Sequence, residues 1–175
     1  MPRNVEIKAR VRHPGCLRTA VEAVADGLPA QLSQEDIFFG CDGGRLKLRV
    51  FADGSGELIF YRRPDTTGPA ESRFSKTPVE DPATMRAVLA DALGVAGVVR
   101  KRRDVFFIGQ TRIHLDKVDG LGHFVELEVV LTDDQTAADG EAVARALMKT
   151  LEIAEDDLID VANVDLLEQG LGARG

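Results

Sequence analysis

The sequence predicts an α+β fold: about eight antiparallel strands closing into a tunnel-like barrel, with helices packed outside. Two observations predict it. Short stretches along the chain alternate apolar and polar residues with a period of two, the repeat of a strand with one buried face. Most of them are joined by short Gly- and Asp-containing turns, in the element order β-α-β-β-β-β-α-β-β-β-α-α. Turns of that length connect antiparallel neighbours, and a sheet with so many strands curls or closes.

The opening stretch, 4–12, sets Val5, Ile7, Ala9 and Val11 against Asn4, Glu6, Lys8, Arg10 and Arg12. Pro14-Gly15 breaks it, and Leu17, Ala20, Val21 and Val24 recur at helical spacing before Gly27 and Pro29. Residues 34–39 read as a strand and 41–44 as a turn. Residues 45–50 repeat the opening pattern, with Leu46, Leu48 and Val50 opposite Arg45, Lys47 and Arg49. A hairpin turn at 53–56 leads to the return strand 57–63, a loop at 64–69 and a shorter strand at 71–76. Pro82 opens a second helix striped by Met85, Val88, Leu89 and Leu93, and Gly94 ends it. Strands follow at 98–108, 111–118 and 124–131, then two acidic helices at 139–151 and 155–169. With no repeat or boundary in view, 1–175 reads as one domain.

Charge is unevenly spread. Net charge is −7, yet residues 1–118 hold 19 Lys/Arg against 15 Asp/Glu (+4), and residues 119–175 hold 3 against 14 (−11). The basic residues are dispersed along strands, with one short run at 100–103. An internal basic site in an acidic protein suits a small polyanion better than a duplex. With no Trp and a single Tyr, Tyr61, the chain lacks the aromatics of a base-stacking surface. Cys16 and Cys41 have no metal-type spacing and are expected as free thiols. No signal-peptide core and no membrane-length apolar run is present, so a cytoplasmic protein is expected, without nucleic-acid or membrane partners.

Period two collects the cations Lys8, Arg10, Lys47, Arg49, Arg62, Arg73, Lys101, Arg103 and Arg112 on the polar faces. It collects the anions Glu6, Asp116, Glu126 and Glu128 there as well. The plain reading is an open sheet with a solvated face. Arginines crowded on neighbouring strands would then repel one another. The other reading turns the ionic faces inward across a water-filled tunnel. Burying that many charges is costly, and a multiply charged anion with a divalent cation would offset much of the cost. Arg and Lys bind phosphate oxygens, while carboxylates suit Mg²⁺ or Mn²⁺ that bridge to substrate phosphates. A basic tunnel with a carboxylate corner therefore implies a metal-bound polyphosphate. Taken singly, Glu126-x-Glu128, the run at 100–103 and His114 carry little; their joint parity over five strands carries the reading.

These residues resemble the CYTH family of triphosphate tunnel metalloenzymes, which includes class IV adenylyl cyclases, thiamine triphosphatases and inorganic triphosphatases. The family's first-strand signature, Glu-x-Glu-x-Lys, is here Asn4-x-Glu6-x-Lys8. The resemblance continues through 45–49, Tyr61-Arg62-Arg63-Pro64, 101–103, 112–116 with 120–124, and Glu126-Leu127-Glu128. It implies that Glu6, Glu126 and Glu128 hold Mg²⁺ or Mn²⁺, with Asp116 a ligand or the neighbour of one. Asn4, uncharged where the signature has Glu, would be a weaker ligand. It implies that Lys8, Lys47, Arg49, Arg62, Lys101 and Arg103 hold the triphosphate, with Arg10, Arg73, Arg112 and His114 as further members. Arg62 stands where the family usually has Lys, and 163–167 resembles a segment that often begins with Tyr. Several family members are homodimers.

Three functions follow from the resemblance. The first is metal-dependent hydrolysis of a triphosphate such as ATP, thiamine triphosphate or tripolyphosphate. The second is an adenylyl cyclase making cyclic AMP from ATP, which needs a nucleoside pocket that the sequence does not display. The third is a binding module without turnover, which the uncharged Asn4 favours. No residue stands out as a general base.

Overall fold

The computed structural model describes residues 3–62, 68–160 and 165–166. Eight strands form the body: β1 (Arg3–Arg10), β2 (Ala30–Phe39), β3 (Arg45–Phe51), β4 (Gly56–Arg62), β5 (Ala70–Val79), β6 (Val95–Ile108), β7 (Thr111–Val118) and β8 (Gly122–Val130). All neighbours are antiparallel, in the order β1-β5-β4-β3-β2-β6-β7-β8, and the sheet closes on itself. β1 is the closing strand: Asn4 lies opposite Ser72 of β5 on one side and Val130 of β8 on the other.

The apolar faces point outward, under the helices. Val5, Ile7 and Ala9 of β1 pack with Ile113, Val125, Leu127 and Val129 beneath helices α1 (Pro14–Val24) and α3 (Ala137–Thr150). Ile37, Phe39, Leu48 and Val79 form a second cluster with Met85 and Leu89 of helix α2 (Pro82–Leu93). The helix ends follow local chemistry. Asp81 caps α2 by accepting from Thr84 N–H at 3.1 Å, and Gly94 ends it at φ 72°. Thr136 and Asp139 form a reciprocal capping box on α3. No helix among the described residues is long and apolar enough to cross a membrane.

Three differences from expectation have physical causes. β2 begins at Ala30 rather than 34, because the long β6 pairs with it as far as Ala30↔Val105. β5 runs on to Val79 through Pro78; β1 pairs with β5 only at Arg73 and the residues before it, so Pro78 costs no ladder bond on that side. The helix expected at 155–169 does not begin there. A single 3₁₀ turn, Glu155–Asp157, is followed by extended chain: Leu158 bridges Ala9, and Ile159 N–H donates to Lys8 O at 2.9 Å. Docking of Leu158 and Ile159 onto apolar clusters outweighs local helix propensity. Arg63 and Pro64 of the fourth-strand motif, and Asn163, Val164 and Leu167 near the C-terminus, lie outside the described residues.

α3 approaches β1 through Gly140, where an added Cβ would stand 2.6 Å from Leu131 Cδ2 and 2.7 Å from Val5 Cγ2. Gly140→Val is therefore expected to cost about 1–3 kcal/mol in urea unfolding through overpacking. Gly15→Ala in α1, where a Cβ meets nothing within 4 Å, should cost nothing in the same assay.

Candidate active site: a charged tunnel

The inward faces of the strands enclose a cavity of about 470 Å³. Its walls include the cations Lys8, Arg45, Lys47, Arg49, Lys76, Lys101, Arg103 and Arg112, and the anions Glu6, Asp36, Glu57, Glu126, Glu128 and Asp160. Alternation puts them there: once β1, β3, β6, β7 and β8 bury their apolar faces outside, their ionic faces have only the interior left.

Two groups of cations are tied down by aspartates. Asp36 accepts from Arg49 Nε and Nη2 at 2.7 and 2.8 Å and from Lys47 Nζ at 3.0 Å. Asp116 accepts from Arg103 Nε and Nη2 at 2.7 Å each and from Lys101 Nζ at 3.0 Å. Burial alone would raise the Asp36 carboxyl; the charges of Lys47 and Arg49 outweigh it and hold it well below the usual carboxylate range. Asp116 is likewise brought down to about 2, burial being outweighed by Arg103 and Lys101. Lys47 also lies between the rings of Phe38 and Tyr61, at 5.5 and 5.4 Å from their centroids. Burial draws its ammonium down to about 8, with Arg49 and Lys101 adding to the fall and Asp36 opposing it.

The carboxylates gather on β8 and β1. Glu126 receives Arg103 Nη2 at 2.8 Å, with Lys8 Nζ at 3.5 Å and His114 Nδ1 at 3.3 Å. Burial and the Arg103 charge lower the His114 pKa. Glu128 stands 2.8 Å from Arg112 Nε and receives a short bond from Asn4 Nδ2. Glu6 lies directly across the ladder from Glu128. Two like charges so placed repel, a repulsion the Arg112 guanidinium beside Glu128 offsets in part. The Oδ1 of Asn4, 1% exposed, has no hydrogen-bond partner. That donor set fits a hard divalent cation: adjacent carboxylates and an unsatisfied amide oxygen. Among the described residues no three His, Cys, Asp or Glu side chains form a ready cage. Mg²⁺ commonly takes one or two carboxylates and completes its shell with water and phosphate oxygens.

Of the residues expected at the site, the structure brings Asn4, Glu6, Lys8, Lys47, Arg49, Lys101, Arg103, Arg112, His114, Glu126 and Glu128 to this cavity. Asp116 points inward too, but both of its oxygens are taken by Lys101 and Arg103, so it anchors cations. Arg62 and Arg73 correct the expectation. They face each other across β4 and β5 on the outer side, where Arg62 Nε donates to Gly43 O and Arg73 Nε to Glu71. The cause is register. Arg45, Lys47 and Arg49 sit opposite Tyr61, Ile59 and Glu57, so the odd residues of β4 share the inward face. Arg10 has inward parity but lies exposed at the end of β1, its guanidinium carbon 5.5 Å from the Phe124 ring centroid. Charged or aromatic lining residues passed over are Asp36, Arg45, Glu57, Tyr61, Lys76 and Asp160. Period two alone would have found Asp36, since it shares parity with the inward Phe38.

The two ends of the tunnel differ. Where β1 finishes, Phe38, Val99, Val118 and Phe124 pack with Tyr61, Ile159 and Leu166, and Arg45 pairs with Asp165 at 2.8 Å. The C-terminal segment thus covers that end. Toward the opposite end the lining includes Leu32, Phe51, Val105 and Phe107, the last 49% exposed.

Known proteins share this fold. A Methanocaldococcus jannaschii protein carrying a provisional description as an adenylate cyclase is 26% identical, over 93% of this chain and 97% of its own. The Pyrococcus horikoshii PH1012 structure superposes with a TM-score of 0.84 at 21% identity, over 93% and 98% of the two chains. HpAC1 of Hippeastrum, a provisional adenylyl cyclase described as having a dominant triphosphatase activity, gives 0.68 at 16% identity, over 95% and 96%. Residues 2–161 match the CYTH domain, and with that match spanning nearly the whole tunnel the chain belongs to the CYTH family.

Proposed function

We propose that this tunnel is a divalent-metal-dependent triphosphatase that cleaves an organic or inorganic triphosphate. CYTH family members are enzymes that handle triphosphates, and this chain has their tunnel. The observation that carries the reading is the pair of aspartate-anchored Lys/Arg groups facing a carboxylate corner. Phosphoryl transfer demands mainly positioning and charge neutralisation. Arg49 and Arg103 offer fixed guanidinium forks to phosphate oxygens, and Lys8, Lys47 and Lys101 add point charges beside them. Glu6, Glu126, Glu128 and Asn4 would hold Mg²⁺ or Mn²⁺, which when bound supplies further charge neutralisation at phosphate oxygens. In hydrolysis, water adds to a phosphorus and the bond to the bridging oxygen breaks.

A second reading, cyclisation of ATP, gains one observation. Two of the chain's eight phenylalanines, Phe51 and Phe107, line the end of the cavity away from the C-terminal contacts and could seat a nucleoside. The M. jannaschii relative's description as a cyclase and the triphosphatase activity described for HpAC1 leave both chemistries in play for this fold. Cytoplasmic location and a homodimer are part of the same proposal.

Phosphate release and cyclic nucleotide formation, followed with ATP, thiamine triphosphate and tripolyphosphate plus Mg²⁺ or Mn²⁺, separate the readings. Phosphate without cyclic product is expected; cyclic AMP as the main product would replace hydrolysis with cyclisation, and binding without turnover would leave a binding module. Glu128→Gln should lower metal-dependent turnover by about 100-fold or more with circular dichroism unchanged. Affinity for tripolyphosphate should fall as pH rises through about 8, where Lys8 and Lys47 lose their protons. Both ammonium groups are lowered from 10.5, so their charge is complete below that point and lost above it. Affinity measured by calorimetry that stays flat across this range would contradict their role.

A further inference from the structure

The tunnel contains one arrangement twice. In each case an aspartate lies directly across the ladder from an arginine, Asp36 from Arg49 and Asp116 from Arg103. In each case it takes two guanidinium bonds and one lysine bond, and the lysine precedes the arginine by two residues. The strands run in the order β3-β2-β6-β7, and β3 and β6 point the same way because each is antiparallel to β2. The second arrangement is therefore the first moved two strands around the barrel.

We propose that Asp36 is a positioning residue: it makes Lys47 and Arg49 a preformed phosphate clamp equivalent to the one Asp116 makes from Lys101 and Arg103. The proposal rests on the reading of the tunnel as a triphosphate site. It gives that site two neighbouring, matched grips for linked phosphates.

An acid beside a phosphate site would ordinarily repel the ligand. Three features tip the balance the other way. Asp36 is 1% exposed, and its three shortest bonds, at 2.7–3.0 Å, come from Lys47 and Arg49, with only Gln34 Nε2 beside them at 3.3 Å. Lys and Arg lose much rotamer freedom when they are ordered, and a side chain already held gives up less on binding. Lys47 faces Arg49 on its own strand, Lys101 on β6, Asp36 on β2 and the rings of Phe38 and Tyr61. Of these, Asp36 favours the charged lysine by both its charge and its hydrogen bond. Removing it would cost the clamp its order and much of the lysine charge.

The test is calorimetric binding of tripolyphosphate to the full chain, with circular dichroism as the check on folding. Asp36→Asn should weaken binding by about 10-fold or more and move the alkaline loss of affinity to lower pH. Asp36→Glu keeps the charge but displaces it by one methylene, so it too should weaken binding. Unchanged or tighter binding by Asp36→Asn would overturn the proposal, as would an Asp36→Glu protein indistinguishable from wild type. Should Asp36→Asn fail to fold, Asp36→Glu decides alone. A wild-type chain that ignores tripolyphosphate would overturn the tunnel reading and the proposal with it; wild-type binding with an indifferent Asp36 overturns this proposal alone.

Discussion

Charge burial is the constraint on which the structure depends. A closed barrel with ionic inner faces takes many full charges out of bulk water, and an unpaired buried ion costs several kcal/mol. The chain meets that constraint by coupling every inner element to another. Asp36 binds β2 to β3, and Asp116 binds β7 to β6. Arg103 then reaches from β6 to Glu126 on β8, and Lys8 reaches from β1 to the same carboxylate. The ion pairs thus follow the sheet around most of the barrel. They hold the tunnel open as well as lining it, since apolar side chains in their place would collapse into an ordinary core.

The balance inside is incomplete at one corner. Glu6 and Glu128 face each other on adjacent strands, beside an amide oxygen with no partner. Asn4 in place of the family's glutamate reduces the repulsion there: its amide nitrogen donates to Glu128, a bond that a carboxylate could not make. The substitution therefore combines a local gain in the free protein with one charge fewer for a cation. The aspartate-anchored cations and this corner are opposite in character. In the first both carboxylate oxygens of each aspartate are paired; in the second the buried Asn4 Oδ1 is not.

Much of this was legible in the sequence, because strand parity needs no knowledge of neighbours. Lys8, Lys47, Arg49, Lys101, Arg103, Arg112, Glu126 and Glu128 could be assigned to one face from period two alone, and all reach the cavity. What parity cannot supply is the register between strands. Arg62 was misplaced because the hairpin sets Val50 opposite Gly56, which turns Tyr61 inward and Arg62 out. Asp36 had the inward parity; what the sequence could not show is its partner, Arg49 across the ladder. Phe51 and Phe107 come to one end of the tunnel from separate strands with no common spacing. At the C-terminus, acidic helix-forming residues concealed the docking of Leu158 and Ile159, which only the finished barrel can offer.

Closure has a consequence for how this chain can meet others. A strand with an open side is a template for pairing with a second chain, and sheets that leave one risk aggregation. Here nearly every strand has a neighbour on both sides. Among the described residues the open stretches include β5 beyond Arg73, on the side β1 leaves uncovered, and the start of β6 before Lys101, which β7 does not reach. The β5 stretch carries Lys76 and Pro78, a charge and a residue without an N–H to donate. Both are residues that blunt intermolecular strand addition. At β5 a second copy or a partner protein would thus have to engage side chains rather than add a strand, leaving that part of the tunnel wall intact on binding.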